Sequence, residues 1–265
     1  MRAGLLTYAV TMALHGNGRC HAATRQRGVI WERRGPWPER RTAVMDERMG
    51  NGSQTKTPVG EPRVRALLAK HECPVPYHEV RTRFLGNIVT PQLAASPMQI
   101  VKDLWGGEFP IFDSMDEVNE LLDILINGMW NELTRHQKRS QPFKLTRISL
   151  EPSAENLEQF GRVRQQELDG FVEGLFAGQA EMDLPERAHV ALEKLGELRA
   201  MIAGISDLVA RNPEPQDPTE LATTFKGLRE LNRIMETEIN EAVLSCTRAR
   251  RQMLAGIPTD RPTFH

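Results

Sequence analysis

An all-α fold, a helical bundle of about six or seven helices closed by a long C-terminal helix, is predicted for this chain from its apolar periodicity. Three observations carry the prediction. Apolar residues recur at three- and four-residue spacing through most of residues 61–254, the period that places side chains on one face of a helix. Leu, Ala, Glu and Arg are abundant, with two Tyr and 6% aromatic residues, and straight side chains lose little rotamer freedom in a helix. No stretch shows the period-two alternation of a half-buried strand. With 40% hydrophobic residues in a length of 265, the chain can bury a sizeable core.

Residues 61–71 place Val64, Leu67 and Leu68 at helical spacing with Pro62 in the first turn, and Pro74 and Pro76 are expected to stop this first helix. Residues 77–89 carry Phe84, Leu85 and Ile88, and Thr90-Pro91 breaks the chain. Ser96-Pro97 is an N-cap followed by proline at the first helical position, and Gly106-Gly107 ends that helix. Ser114 and Glu117 form a capping box. Beyond it Val118, Leu121, Leu122, Leu125, Met129 and Leu133 share one apolar face, widened by Ile124, Ile126 and Trp130.

Residues 139–152 are polar and read as a connection. Ser153 then caps a helix with Leu157, Phe160, Val163, Leu168, Phe171, Leu175 and Phe176 on its bulky face and Gly170 and Gly174 four apart. Pro185 opens the next, where Val190, Leu192, Leu195, Leu198, Ile202, Ile205 and Val209 repeat. The sequence NPEPQDPT at 212–219 is a rigid linker, and Pro218 starts a final helix expected to reach Leu254. This gives three regions: an extension and flexible linker at 1–60, a helical domain at 61–211, and the proline linker with a long helix packing on the domain at 212–265.

Residues 1–44 are foreign to the rest in composition, with eight Arg against two Glu and a net charge of +6. An apolar run from Leu5 to Leu14 follows Arg2 in the manner of a signal peptide, but Thr7, Thr11 and His15 dilute it and no clean cleavage site follows. A translation start at Met45 or Met49 is the expectation that accounts for this composition. Residues 45–265 hold 26 basic against 33 acidic side chains, so nucleic acid is not expected as a partner of the folded part. No apolar run long enough for a membrane span is present. Cys20, Cys73 and Cys246 are too few and too scattered for a disulfide framework, and a reducing cytoplasm is the expected location.

Catalytic chemistry has no recognisable motif here: GxSxG, HExxH and P-loop patterns are absent. His71, Cys73 and His78 cluster without the spacing of a zinc site. No metal or cofactor is expected. Paired carboxylates such as Asp116 with Glu120, or Glu236 with Glu241, read as solvated helix faces.

Two features carry an interaction reading. Trp105 and Phe109 flank Gly106-Gly107 and serve either as anchors for a partner or as aromatics that fold back onto the core. In the last helix Leu221, Phe225, Leu228, Asn232, Met235 and Ile239 alternate by four and three residues, as in a coiled-coil seam for a homo-oligomer or in an ordinary bundle helix. Arg248, Arg250 and Arg251 complement the dipole at that helix's end.

Phe84-Leu85-Gly86, Ser96-Pro97, Leu104-Trp105-Gly106, Trp130-Asn131 and Gly170-Phe171-Val172-Glu173-Gly174, in this order, resemble the pattern of the YecA/YgfB-like group of bacterial all-helical proteins, without the cysteine-rich metal-binding tail of some relatives. Glu167 stands where that pattern has tryptophan, and Asn87 replaces an aromatic or apolar residue. With the missing catalytic motifs, the resemblance implies a non-catalytic regulatory or adaptor protein that binds another protein. The alternatives are an enzyme, a hydrolase with a site of its own, and a homo-oligomeric scaffold.

Overall fold

Helices form where apolar periodicity and capping residues place them. The computed structural model describes residues 60–92, 95–211 and 218–256, and these described residues form seven helices and no strand. The N-terminal extension, the 212–217 linker and residues 257–265 lie outside the described residues. The helices are α1 (Glu61–Lys70), α2 (Tyr77–Val89), α3 (Pro97–Asp103), α4, α5 (Ala154–Phe176), α6 (Glu186–Arg211) and α7 (Pro218–Ala255). Helix α4 is continuous but composite: Met115–Leu122, a π-helical stretch Asp123–Trp130, and Asn131–Leu133, followed by a 3-10 turn at Thr134–Gln137.

Helix starts obey the sequence signals. The hydroxyls of Ser96, Ser114 and Ser153 accept from the backbone N–H groups of Met98, Glu117 and Asn156 at 3.2, 3.4 and 3.1 Å, satisfying donors that the first turn leaves unpaired. The capping box is modified, because the Glu117 carboxylate reaches back to the N–H of Asp113 at 3.0 Å rather than to that of Ser114. The end of α1 also differs from expectation. Glu72 adopts a left-handed conformation (φ 47°) and the N–H groups of Cys73 and Glu72 donate to the carbonyls of Leu68 and Ala69, so a Schellman-type turn stops the helix before either proline.

Helices α2 and α5 cross with their backbones in direct contact. Gly86 faces α5, and Gly170 and Gly174 face α2. A methyl on Gly86 would stand 2.6 Å from the Leu175 nitrogen, one on Gly170 would stand 2.7 Å from the Glu79 carbonyl oxygen, and one on Gly174 would fall on the Arg83 carbonyl. The two glycine segments are therefore complementary halves of one crossing. Phe84, Leu85, Phe160, Phe171 and Leu175 are buried around it, and Arg83 bridges it by pairing with Glu79 on its own helix and Glu173 on α5.

The buried stripe of α4 is Leu121, Ile124, Leu125, Met129 and Leu133; Val118 and Leu122 are only partly covered. Four of these residues are spaced by four, and in a pure α-helix that spacing drifts around the axis because a turn takes 3.6 residues. The wider π turns counter the drift and keep the row on one side. In α6 the buried row is Ala188, Ala191, Leu195, Leu198 and Ile202, while the expected Val190 is exposed. The small alanine side chains set the contact face there. The side chains of Ile205 and Val209 lie outside the described residues.

The polar connection after α4 is part of the core. Phe143 and Leu145 are buried, with the Arg81 guanidinium 4.3 Å above the Phe143 ring and His136 edge-on to it. The extended backbone of this strap is paired by side chains instead of by a neighbouring strand. Asn240 of α7 accepts from the Phe143 N–H at 2.7 Å and donates to its carbonyl at 3.1 Å. Glu236 accepts from the N–H of Leu145, and Glu167 of α5 accepts from that of Thr146. Glu236 is thus no solvated face residue: it also pairs with Lys144 at 2.7 Å.

Beneath the strap lies a buried ion pair between Arg164 and Glu167. Arg164 donates further to the Asn232 side-chain oxygen and to the Thr146 carbonyl, each at 2.7 Å. Burial draws the guanidinium below its ordinary value and the Glu167 charge opposes that shift.

The crossing and the ion pair each have a measurable effect on stability. Gly174→Ala should cost about 3 kcal/mol through forced overpacking, whereas Gly196→Ala, with open space around the added methyl, should stabilise by about 0.5–1 kcal/mol. Urea unfolding midpoints read both, and an unchanged midpoint for Gly174→Ala would contradict the close crossing. Glu167→Leu, which leaves Arg164 buried without its counter-charge, should cost about 3–5 kcal/mol. Adding Arg164→Met should recover only part of that loss, because the Thr146 N–H and carbonyl still lack partners; full recovery would show that the pair does not hold the strap.

Candidate interaction surface

The loop joining α3 to α4 begins with two glycines at positive φ, Gly106 at 80° and Gly107 at 103°, a region that side chains with a Cβ rarely enter. The turn reverses the chain so that the aromatics on either side reach back toward α1. Trp105 donates its indole N–H to the His71 carbonyl at 2.8 Å and packs against the core. Phe112 meets the His71 ring edge-on at 5.4 Å, Phe109 stands 6.4 Å from Phe112, and the Lys102 ammonium lies 5.3 Å from the Phe109 ring. Trp105 is thus a half-buried brace, and Phe109 is partly covered.

The surface that remains open belongs to residues the sequence pattern did not single out. Ile111 is 95% exposed and Met115 71% exposed. Ile111 sits between Pro110 and Phe112 in non-helical chain, outside any periodic stripe, so periodicity could not mark it. Met115 precedes Val118 by three residues and looks like an extension of the α4 stripe, but the helix begins before the core does. Lys70 ties this region to α1 through Glu117 at 3.1 Å and Glu120 at 3.0 Å. These contacts raise the Lys70 ammonium above its ordinary value, and the Asp113 N–H, followed by Lys70, lowers the Glu117 carboxyl. The loop therefore presents Ile111 and Met115 from an anchored base.

The other candidates are engaged inside the fold. In α7, Phe225, Leu228, Met235 and Ile239 are buried inside the chain, and the partly covered Asn232 accepts from Arg164; the Leu221 side chain lies outside the described residues. A second copy could reach the buried members only by opening the bundle. Arg250 donates to the Ile88 carbonyl at 3.0 Å, so it caps the end of α2 rather than its own helix. His78 is bonded to Gln166 and the Cys73 thiol lies 3.8 Å from the Leu104 carbonyl. The two sit in separate surroundings, and no group of three or more His, Cys, Asp or Glu side chains converges on a metal position among the described residues. No described helix is long and apolar enough to cross a membrane.

The division between brace and surface is measurable. Trp105→Phe should lower stability by about 1 kcal/mol through loss of the indole hydrogen bond. Ile111→Asp should stay within about 0.5 kcal/mol of the parent, as exposed substitutions do. Equal losses in thermal unfolding would show Ile111 to be packed.

Comparison with known proteins adds no relative: no family model, no curated protein and no solved structure matches the chain.

Proposed function

We propose that this is a non-catalytic regulatory or adaptor protein of the YecA/YgfB-like kind, acting in the cytoplasm by binding another protein. The observation that carries the reading is the pair Ile111 and Met115, held out into solvent by a loop whose neighbouring aromatics are anchored. Exposed apolar side chains on a pre-organised loop bind without a large ordering cost, and bulky anchors dominate interface energetics. The binding surface is accordingly centred on Ile111 and Met115, with Phe109 at its edge and Trp105 as support.

Quantitative pull-down from native lysate tests the reading. The protein recovered with the parent chain should fall by about tenfold with Ile111→Asp/Met115→Glu, the loss of roughly 1.4 kcal/mol expected when anchors are removed. Met201→Glu, at an exposed position on α6, should leave recovery unchanged. Equal recovery by all three chains would overturn the assignment of this surface.

A further inference from the structure

A cavity of about 350 Å³ opens between the start of α6, the last turns of α7 and the chain that leaves α4. Its wall carries Lys138, Arg139, Arg187, Arg248 and Arg251, with Glu241 as a carboxylate among them. None of these five basic side chains has an ion-pair or hydrogen-bond partner among the described residues. Gathering unpaired cations costs self-repulsion that a bound anion would remove. The arrangement is local, because the chain from residue 45 onward is acidic in sum.

A second observation is independent of the charges. Thr247 lines the same cavity, is only 5% exposed, and its hydroxyl has no hydrogen-bond partner. A helical threonine ordinarily bonds back to a carbonyl one turn earlier, and a buried hydroxyl left unpaired costs free energy. The oxygen itself is closed to solvent, so a ligand oxygen entering from the cavity would satisfy it only by displacing a neighbouring side chain.

An adjoining cavity of about 250 Å³ shares Lys138, Arg139, Glu241 and Leu244 but differs in charge balance. There Lys144 is paired with Glu236 at 2.7 Å and Arg233 with Glu230 at 2.6 Å, so its own cations are already neutralised. The larger cavity keeps its field.

We propose that the larger cavity binds a compact polyanion, a small phosphorylated or pyrophosphorylated molecule, through Arg139, Arg187, Arg248, Arg251 and Lys138, with the Thr247 hydroxyl as the buried contact. Four guanidinium forks suit phosphate oxygens better than isolated ammonium groups do. The volume is at the lower end for small-molecule sites. No aromatic side chain lines it, so it lacks the stacking platform on which single-stranded nucleic acid sites rely.

Titration calorimetry of the full chain with sodium tripolyphosphate at physiological salt is the test, with Arg248→Gln/Arg251→Gln, Thr247→Val and Arg233→Gln as variants and circular dichroism as the folding check. Saturable one-to-one binding is expected, weaker by about tenfold or more in the double arginine variant, weaker by about threefold in Thr247→Val, and unchanged in Arg233→Gln. Absence of saturable binding up to about 1 mM, or unchanged affinity in either the double arginine or the threonine variant, would overturn the site. Tighter binding of citrate would replace phosphate by a polycarboxylate as the ligand class, and tighter binding of a single-stranded RNA would replace the small molecule by nucleic acid; each of these also overturns the proposal.

Discussion

The backbone contact between α2 and α5 constrains everything packed around it. Glycine at 86, 170 and 174 removes the side chains that would hold the axes apart, so the Phe84, Phe160 and Phe171 rings fill the flanks of the crossing instead of its centre. Interior packing at this density transmits displacement, because few voids can absorb it. Moving α2 outward by the width of a methyl group would shift Arg81, whose guanidinium covers Phe143 and donates to the Lys144 carbonyl at 2.7 Å. It would also shift the Ile88 carbonyl that receives Arg250 from α7. The strap and the C-terminal helix are in this sense registered against the crossing.

Around that apolar contact the chain has built a polar one. Glu167, Arg164, Glu236 and Asn240 supply acceptors and donors to an extended segment that has no partner strand, and Asn232 accepts from Arg164 behind them. Backbone groups of a covered segment must be paired somewhere, and here helical side chains do it from two sides. A buried ion pair contributes little net stability against an apolar replacement. Its value is directional: Arg164 can satisfy Asn232, Glu167 and the Thr146 carbonyl together only when α5, α7 and the strap are in one relative position. Asn87 is the contrasting case, a buried amide whose oxygen lacks a protein partner and for which the packing offers no explanation.

Helix starts were legible because their causes are local: a serine hydroxyl and a proline at the right position suffice, and Ser96, Ser114 and Ser153 all cap as their neighbours suggest. Gly170 and Gly174 were visible as a pair, but the identity of the helix they admit depends on tertiary contact. What could not be read was long-range. Phe143 and Leu145 sit in a polar stretch, and their burial rests on Asn240 and Glu236, more than 90 residues away. Asn232 falls in the four-and-three row of the last helix, and its partner is an arginine 68 residues earlier. At the surface, Trp105 and Phe109 are conspicuous in the sequence but partly buried, whereas exposure, which periodicity does not report outside a helix, belongs to Ile111.

Helix α4 links the two proposed binding surfaces. Met115 at its first residue belongs to the apolar surface, and the chain leaving its far end carries Lys138 and Arg139 into the basic cavity. Between them Asp123–Trp130 runs as a π-helix, a form seldom sustained unless tertiary contacts favour it. Each residue added or removed in a helix rotates the later turns by about 100°, so an uninterrupted α-helix of the same sequence would turn Leu133 away from the core and re-aim the chain beyond it. The π stretch lets one helix keep Leu121, Leu125, Met129 and Leu133 buried together. By doing so it fixes the orientation of the apolar surface at one end relative to the cation-lined cavity at the other.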